Sequence, residues 1–438
     1  MIQGVAPAFE RELLAWFTRY LQLDTANPPG DVREAVAFLQ SVCEREGIET
    51  KTYASDAAHG KVNLIVRLRS PHPSEKPLLM LNHMDVVPVE RERWTVDPFG
   101  GAIQPAALHG RPAPVEHIYS RGSLDMKGLA MLELGVLILL KRQGAPLARD
   151  VMILFAADEE IGSRLGAEWM VERHYQDLDP GVVLNEGGEG SIDVLTDDGK
   201  PVYAVQVGEK QVLWMKWVVE GNSGHASIPL KENASERLLA GIQEALTWVR
   251  SLTPVVDPTL ELLTRRLGRI KETPFTYAIQ HDTISLTSLK SGVGDPPKIN
   301  VIPGRAEATL DGRLLPATNR RAFFQALKER VAPYGIQIEV AQESPEAKAS
   351  PIEGDAWRAI EEGIHAVSPG VPIVPIISSG ATDSRFFRVR GVPCYGLLPM
   401  ILPEEITATM HSHDERLPVD EFFKGLRILF EIVRRLAA

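Results

Sequence analysis

The sequence predicts an α/β fold in which a second, smaller domain is inserted into the first. Strand and helix signals alternate through the first half of the chain, which is typical of a sheet covered by helices on both faces. Near Tyr203 this pattern gives way to the order β-α-β-β-α-β, the ferredoxin-like split motif. A linker containing proline and alanine, residues 344–351, then leads to a last helix–strand–helix stretch. We therefore expect one α/β domain built from residues 1–211 and 346–438, with the inserted domain at residues 212–345.

The first domain begins with an amphipathic helix, predicted over residues 9–23. Charged side chains interrupt its apolar positions, so the segment lacks the pattern of a secretory signal. Downstream, short apolar runs that end at turn residues predict strands, and longer periodic stretches predict helices. These elements are strands over residues 61–68, 77–81, 151–157 and 182–184, and helices over residues 129–143 and 164–175.

The inserted domain is predicted from alternating strands and two amphipathic helices. Asn233 is placed to cap the first of these helices. The predicted strands cover residues 212–220, 283–290, 305–313 and 336–341, and the helices cover residues 234–250 and 320–331.

The composition excludes several classes of protein. The 438 residues carry a formal net charge of −11, with 58 acidic against 47 basic side chains, which disfavours a general nucleic-acid binder. A hydrophobic fraction of 44% excludes intrinsic disorder. The longest apolar stretch, residues 129–140, includes Glu133 and is too short to cross a bilayer. The two cysteines, Cys43 and Cys394, form neither a thiolate metal site nor a disulfide framework. We therefore expect a cytoplasmic protein in which any metal is held by histidine and carboxylate side chains.

Two polar positions follow apolar runs in the first domain. His83 stands at the end of a predicted strand, where open α/β sheets place ligand sites. Asp85 points to the same side of an extended chain and could hold the imidazole through its other ring nitrogen, although an ordinary polar pair is the alternative. Asp125 lies in a loop before an apolar helix and is either a functional carboxylate or simply the N-cap of that helix.

A run of three acids provides the strongest single signal. Asp158, Glu159 and Glu160 directly follow an apolar run, and like charges this close cost free energy unless a cation or a proton relieves them. Because neighbouring residues in an extended chain point in opposite directions, Glu159 and Glu160 could act separately as general base and metal ligand. Glu186 also follows an apolar strand, although a turn would explain that segment on its own.

Taken together, these candidate residues indicate a metal site more strongly than any one of them does alone. His411 lies near the C terminus in a charged segment that could otherwise be an ordinary helix start. Imidazole and carboxylate ligands suit a pair of zinc or related ions, which can share a bridging carboxylate. The candidates that fall at strand ends or in loops of the first domain are His83, Asp125, Glu159, Glu160, Glu186 and His411.

The ordered set of motifs resembles a dinuclear zinc metallopeptidase and deacylase family. This family includes aminoacylase, carboxypeptidase S, glutamate carboxypeptidase and succinyl-diaminopimelate desuccinylase, and the resemblance spans about residues 13–436. It implies a mixed-sheet α/β catalytic domain of zinc-peptidase type with two divalent metal ions, zinc first and cobalt or manganese as alternatives. The segments that carry the resemblance are His83–Asp85, Gly122–Gly128, Asp158–Glu160, Glu186–Gly188 and His411–Glu415.

The resemblance also implies a role for each of these residues. Asp125 looks like the carboxylate that bridges both ions, Glu159 resembles the general base, and Asp85 supports the first histidine from behind. His411 is preferred to its neighbour His413 because Glu415 then falls at the expected offset. The implied metal ligands are His83, Asp125 and Glu186 for one ion and Asp125, Glu160 and His411 for the other.

The inserted domain resembles the lid and dimerisation domain of the family, which implies a possible homodimer. His225 matches a histidine that reaches the active site, in many members that of the partner subunit, where it would donate to the developing oxyanion. Asn300, Arg313 and Gly380 lie in segments that resemble substrate-binding segments of the family. Arg313 is a candidate clamp for a free carboxylate because its planar fork matches that group, although it could merely pair with Asp311.

The implied activity is hydrolysis of the amide bond of N-acyl amino acids or dipeptides with a free carboxylate, through a metal-bridging water activated by Glu159. An aminopeptidase or dipeptidase that requires a free amino group is the alternative within this chemistry. A catalytically silent metal-binding homologue and a metal-free acidic interaction protein are the alternatives outside it. The partners expected are small molecules, with no nucleic acid and no membrane. One departure from the family, extra residues around 105–116, bears on substrate specificity.

Overall fold

The computed structural model describes residues 5–253 and 258–438. Its strands are β1 (Glu49–Asp56), β2 (Lys61–Leu68), β3 (Leu78–His83), β4 (Ala102–Ala106), β5 (Val115–Tyr119), β6 (Val151–Ala156), β7 (Val182–Ser191), β8 (Val202–Glu209), β9 (Gln211–Glu220), β10 (Gly224–His225), β11 (Thr283–Ser291), β12 (Val301–Ile302), β13 (Arg305–Leu314), β14 (Gln337–Glu343), β15 (Ile373–Ser378), β16 (Cys394–Ile401) and β17 (Arg416–Pro418). Its helices are α1 (Pro7–Leu21), α2 (Arg33–Arg45), α3 (Lys127–Gln143), α4 (Ala167–Arg173), α5 (Tyr175–Leu178), α6 (Ala234–Ser251), α7 (Pro258–Leu267), α8 (Pro274–Ala278), α9 (Arg320–Val331), α10 (Asp355–Val367), α11 (Ser384–Arg388), α12 (Glu404–Thr407) and α13 (Val419–Ala437).

An eight-stranded mixed sheet forms the centre of the first domain, with strand order β1-β2-β6-β3-β7-β16-β8-β15. β3 runs parallel to both β6 and β7, and β16 runs parallel to β7. Every residue of β3 and β6 is buried, as expected for strands covered on both faces. β3 and β6 therefore end side by side, and β7 passes the same edge of the sheet at about Glu186 before it continues to Ser191.

Helices cover both faces of this sheet, which confirms the predicted α/β architecture. Alternate residues of β3 show the two layers, because Met80 packs in the cluster that includes α1, α3 and α13, whereas Leu81 packs in the cluster that includes α4 and α11. On the first face, the Phe17 and Phe422 rings stack with their centroids 4.8 Å apart. Within the described ranges, none of the helices is both long enough and apolar enough to span a membrane.

Glu133 is a buried acid inside α3, and it gives the core a predictable pH response. Burial raises its pKa from an ordinary value of 4.5 to about 8, against a smaller opposing effect of the hydrogen bond from Asn82 Nδ2 at 2.6 Å. Between these two pH values the folded state keeps a proton that the unfolded state has lost, so stability falls as pH rises. Glu133→Gln should remove this fall, and the stability of the variant relative to the wild type should rise by about 1.4 kcal/mol per pH unit across this range.

The measurement is urea unfolding of both proteins at several values between pH 5 and pH 8. All other titrating groups are common to the two proteins, so the difference between their stability curves isolates Glu133. Parallel curves over this pH range would show that its carboxyl group ionises normally in the folded state.

The inserted domain contains a four-stranded antiparallel sheet with the order β11-β13-β9-β14. α6 and α9 pack on one face of this sheet, where Trp217, Leu238 and Leu327 belong to a separate hydrophobic core. Asn233 caps α6 as predicted, because its side chain accepts a hydrogen bond from the Ser235 backbone N–H at 3.0 Å. The strand order and the two helices confirm the ferredoxin-like arrangement.

Two short helices between α6 and β11 were not predicted. Leu260, Leu262 and Leu263 of α7 are buried in the core of the eight-stranded sheet together with Ile279, which follows α8. This segment lies within the predicted inserted domain but packs against the first domain. The boundaries 212–345 therefore remain a prediction, and the described contacts assign α7 to the larger core.

The extra residues expected around 105–116 form a hairpin. β4 and β5 pair antiparallel, and β17 adds to β5 as a third strand. Because β5 precedes the Asp125 loop and β17 follows the His411 loop, this small sheet brings the two loops together. The Ser120 backbone N–H donates to the Glu415 carbonyl oxygen at 3.0 Å and continues the pairing toward them.

Candidate metal centre

The candidate site lies at the carboxyl edge of the eight-stranded sheet. β3 ends at His83, β6 leads directly into the acidic turn at Glu159–Ile161, and β7 carries Glu186. Open α/β sheets place ligand sites at this edge, because neighbouring parallel strands end there together. Asp125 precedes α3, and His411 lies between α12 and β17.

Asp125 lies between two imidazole rings. Its Oδ1 atom is 3.1 Å from Nε2 of His83, and its Oδ2 atom is 2.9 Å from Nε2 of His411. His83 is 1% exposed, and the His411 side chain is half exposed. One carboxylate thus links histidines that are far apart in the sequence, as the predicted bridging role requires.

Two further carboxylates complete the cluster. Glu186 Oε2 is 3.9 Å from Nε2 of His83, and Glu160 Oε1 is 3.5 Å from Nε2 of His411. Glu160 Oε1 is buried and accepts no hydrogen bond from the described residues. The possible ligand atoms of His83, Asp125 and Glu160 lie within 4.8 Å of one another, and so do those of His83, Glu159 and Glu186.

The donor set fits divalent metal ions. Imidazole nitrogens and carboxylate oxygens are the ligands that zinc accepts in sites without cysteine. The buried Oε1 atom of Glu160 has no hydrogen-bond partner among the described residues, which leaves it available to a metal ion. Five predicted ligands converge here from five separate segments, namely His83, Asp125, Glu160, Glu186 and His411.

The electrostatics of the cluster are those of crowded acids held by two imidazoles. Burial raises the pKa of Glu159 well above its ordinary value, and the nearby Glu186 raises it further. Burial, with a contribution from Asp125, raises the pKa of Glu186 to about 8. The hydrogen bond to Asp125, together with the nearby Glu160 carboxylate, raises the pKa of His411 to about 10. The excess of negative charge favours a cation in the cluster.

Asp85 contacts the site differently from the sequence prediction. The nearer partner of His83 Nδ1 is the backbone carbonyl of Asp85 at 2.9 Å, whereas its carboxylate Oδ1 is 3.5 Å away. The carboxylate instead accepts from the backbone N–H groups of Glu159 at 3.1 Å and Glu160 at 3.3 Å. Asp85 is fully buried, so this carboxylate fixes the acidic turn against the His83 strand end.

Glu415 and Arg121 anchor the two loops that carry Asp125 and His411. Their buried side chains form an ion pair with Nη1 and Oε2 2.5 Å apart, and Arg121 Nη2 donates to the Ser412 carbonyl at 2.9 Å. Glu415 Oε1 accepts from the Leu124 backbone N–H at 2.8 Å. The offset that favoured His411 over His413 therefore has a physical basis, because Glu415 holds the Asp125 loop.

The remaining predicted site residues lie outside this cluster. His225 and Asn300 are exposed on the inserted domain, where β10 pairs with β12 and the Ala226 N–H donates to the Asn300 carbonyl at 3.0 Å. Arg313 Nε donates to Asp311 Oδ1 at 2.8 Å, the pairing that was its alternative role. Gly380 is exposed in the loop after β15.

Asp383 was not predicted as a site residue, although it lies three residues after Gly380, in the segment that resembles a substrate-binding segment. Its Oδ1 accepts a hydrogen bond from Ser163 Oγ, which ties the loop to the acidic turn. Burial raises its pKa to about 6, and its Oδ2 atom is buried without a described partner. A single acidic residue after Thr382 has no distinctive sequence pattern. Only the contact with Ser163 in the structure shows that Asp383 lies beside the acidic turn.

Comparison with known proteins identifies one family across most of the chain. The model of peptidase family M20/M25/M40 matches residues 79–435. Among curated proteins, rat aminoacylase-1B is 28% identical over 436 residues, which cover 99% of this chain and 97% of the relative. Human aminoacylase-1 is also 28% identical over 436 residues, with the same coverage.

Solved structures of the same fold cover nearly the whole chain. The M20 family metallo-carboxypeptidase Sso-CP2 from Sulfolobus solfataricus superposes with a TM-score of 0.68 at 20% identity, over 97% of this chain and 98% of its own. The YXEP protein of Bacillus subtilis, described as a dinuclear metal binding peptidase, gives a TM-score of 0.63 at 16% identity over 99% of both chains. These two structures support the fold.

Proposed function

Since this chain belongs to peptidase family M20/M25/M40 and is therefore a hydrolase of amide or peptide bonds, we propose that it cleaves N-acyl amino acids or dipeptides with a free carboxylate. The observation that carries the proposal is the Asp125 carboxylate between His83 and His411, beside the acidic turn. The similarity to aminoacylases over 99% of the chain favours N-acyl amino acids as the first class to test.

The family is metal-dependent, and the residues present would hold two divalent ions. His83, Asp125 and Glu186 would hold one ion, and Asp125, Glu160 and His411 would hold the other. Zinc is the proposed metal, with cobalt and manganese as alternatives, because the ligands combine imidazole nitrogen with carboxylate oxygen. When bound, the ions would supply Lewis acidity toward water and the substrate carbonyl.

Glu159 is the proposed general base. It follows Asp158 at the end of β6, and the Asp85 carboxylate fixes its backbone N–H, so its side chain is presented from a rigid turn. Its raised pKa suits a group that accepts a proton from the attacking water and then returns it to the leaving nitrogen. Glu160, the next residue, turns toward His411 and is thus free to act as a ligand.

The substrate is proposed to be held by residues of both domains. Arg313 would clamp the free carboxylate, Asn300 and Gly380 would contact the substrate, and His225 would donate to the developing oxyanion. His225 is exposed in the single chain, so this role requires either closure of the inserted domain or a second copy of the chain. A homodimer through the inserted domain is part of the proposal.

The test is a substrate panel. Zinc-loaded protein should hydrolyse N-acyl amino acids with kcat/KM about 10–100-fold higher than the matched carboxyl amides, because a charge-assisted bidentate contact is lost when the carboxylate is blocked. Arg313→Ala should erase this preference, whereas Arg305→Ala on the same strand, whose partners Glu220 and Glu307 lie on the domain surface, should preserve it. Equal rates with free and blocked carboxylates would reject the clamp.

Additional assays with a chelator, dipeptides and other metals distinguish the alternative functions. A chelator should abolish hydrolysis and added zinc should restore it, as expected for a metal-dependent hydrolase. Dipeptides cleaved only with a free amino group would instead indicate an aminopeptidase or dipeptidase. No hydrolysis of any compound by protein loaded with zinc, cobalt or manganese would indicate a catalytically silent metal-binding homologue.

A further inference from the structure

Two buried residues from the N-terminal part of the chain reach the candidate centre from behind. Asn27 Nδ2 donates to Asp85 Oδ2 at 2.8 Å, and Lys61 Nζ donates to Asn27 Oδ1 at 3.1 Å. Asn27 is 3% exposed and Lys61 is 4% exposed. The chain of contacts therefore runs from a buried ammonium through an amide to the carboxylate that holds the acidic turn.

The orientation of the amide is fixed by the chemistry of its two partners. An ammonium group can only donate hydrogen bonds, and an ionised carboxylate can only accept them. Asn27 must therefore point its oxygen at Lys61 and its nitrogen at Asp85. Within the described part of the chain, Lys61 forms no ion pair, and its ammonium group donates to the Asn27 side-chain oxygen.

The backbone around Asn27 is equally constrained. The Asn27 N–H donates to the Val86 carbonyl at 2.8 Å, and the Val86 N–H donates to the Thr25 carbonyl at 3.2 Å. Gly30 has a φ of +66°, and a side chain there would place its Cβ 2.3 Å from Lys61 Nζ and 2.5 Å from Asn27 Cγ. Only glycine leaves room for the Asn27 and Lys61 side chains to meet.

We propose that Asn27 and Lys61 are positioning residues of the hydrolytic centre. Lys61 orients the Asn27 amide, and Asn27 holds Asp85 so that its two oxygens receive the backbone N–H groups of Glu159 and Glu160. The proposed base and its neighbouring ligand thus keep their places relative to His83. This inference rests on the proposed function of the centre, and both residues lie outside the segment matched by the family model.

The experiment compares Asn27→Ala and Lys61→Met with a control on the same strand. Arg67, at the other end of β2, donates to Asp150 Oδ2 at 2.7 Å on a part of the sheet that holds none of the candidate ligands, so Arg67→Met removes a comparable contact. Zinc affinity is measured by competition with a chromophoric chelator, and the cobalt-loaded proteins are compared by visible absorption. Steady-state kinetics and urea unfolding complete the set.

Asn27→Ala and Lys61→Met should weaken zinc binding about 10–100-fold, because they release Asp85, the outer partner of His83 and Glu160. Their cobalt spectra should shift and kcat should fall at least about tenfold with KM little changed, whereas Arg67→Met should lose stability only. Lys61→Arg should restore part of the zinc affinity.

Wild-type zinc affinity and cobalt spectra in both variants, or losses no larger than those of Arg67→Met, would overturn the inference. If wild-type protein hydrolyses no substrate, the proposed function fails, while zinc affinity and cobalt spectra still decide this inference. If Asn27→Ala does not fold, Lys61→Met and Lys61→Arg decide it.

Discussion

Replacing Glu159 with glutamine should lower kcat by about 10³-fold or more while the zinc content of the purified protein stays at the wild-type level. Glutamine has nearly the same shape but cannot accept the proton of the attacking water. Burial raises the pKa of Glu159, and Glu186 raises it further, which suits the proposed role of a group that takes up a proton. The measurement is steady-state kinetics with parallel metal analysis of the same samples.

Two control variants distinguish loss of the proposed base from loss of a metal ligand and from an unrelated change of charge. Glu160→Gln should reduce metal content, because Glu160 faces His411 and Asp125, so the neighbouring acids should give different defects. Glu172→Gln, an exposed position in the following helix, should leave both properties unchanged. Activity of Glu159→Gln above about a tenth of wild type, at equal metal content, would contradict the assignment of the base.

Glu415→Ala should destabilise the protein by about 3–5 kcal/mol, the cost of leaving one member of a buried ion pair unpaired. Arg121 is 2% exposed and Glu415 is fully buried, so the guanidinium group would lose its carboxylate without access to water. The variant also loses the acceptor for the Leu124 N–H in the loop that carries Asp125. Urea unfolding measures the change in free energy.

The matched comparison is an ion pair in solvent. Arg93 and Glu90 pair at 3.0 Å with side chains 63% and 66% exposed, and Glu90→Ala should change stability little because water screens the pair. Glu415→Ala should also lower metal affinity, since His411 and Asp125 lie on the two loops that this residue joins. A loss of stability as small as that of Glu90→Ala would show that the loops are held together by other contacts.

The central sheet and most of the candidate site were predictable because their signals are local. β2 and α9 begin and end at the predicted residues, since an apolar run or an amphipathic period defines each of them. His83 and Glu186 each follow a predicted apolar strand, and the two strands run parallel in one sheet, so both residues lie at the same edge. His411 was predicted from its sequence motif. Its position next to Asp125 depends on Glu415, which joins the two loops.

Other features depend on contacts that no local pattern contains. The helix predicted over residues 164–175 is divided at His174 into α4 and α5. α7 has an ordinary amphipathic pattern, and only its packing shows which domain it joins. Asn27 lies in a sequence typical of a turn, and its contact with Asp85 joins segments that are far apart in the chain. Asp85 itself was predicted, but the main-chain groups it holds were not.

The position of β16 in the sheet has a consequence for how the protein is made. This strand lies between β7 and β8, yet it is synthesised after the whole inserted domain. The inserted sheet has its own core and can fold on the ribosome while the larger sheet still has an open gap in its centre. Apart from their short mutual pairing at Gly190 and Ser191, the facing edges of β7 and β8 are then unpaired, and unpaired strand edges are sites of aggregation. A chain that stops before β16 would therefore be a substrate for chaperones or proteases.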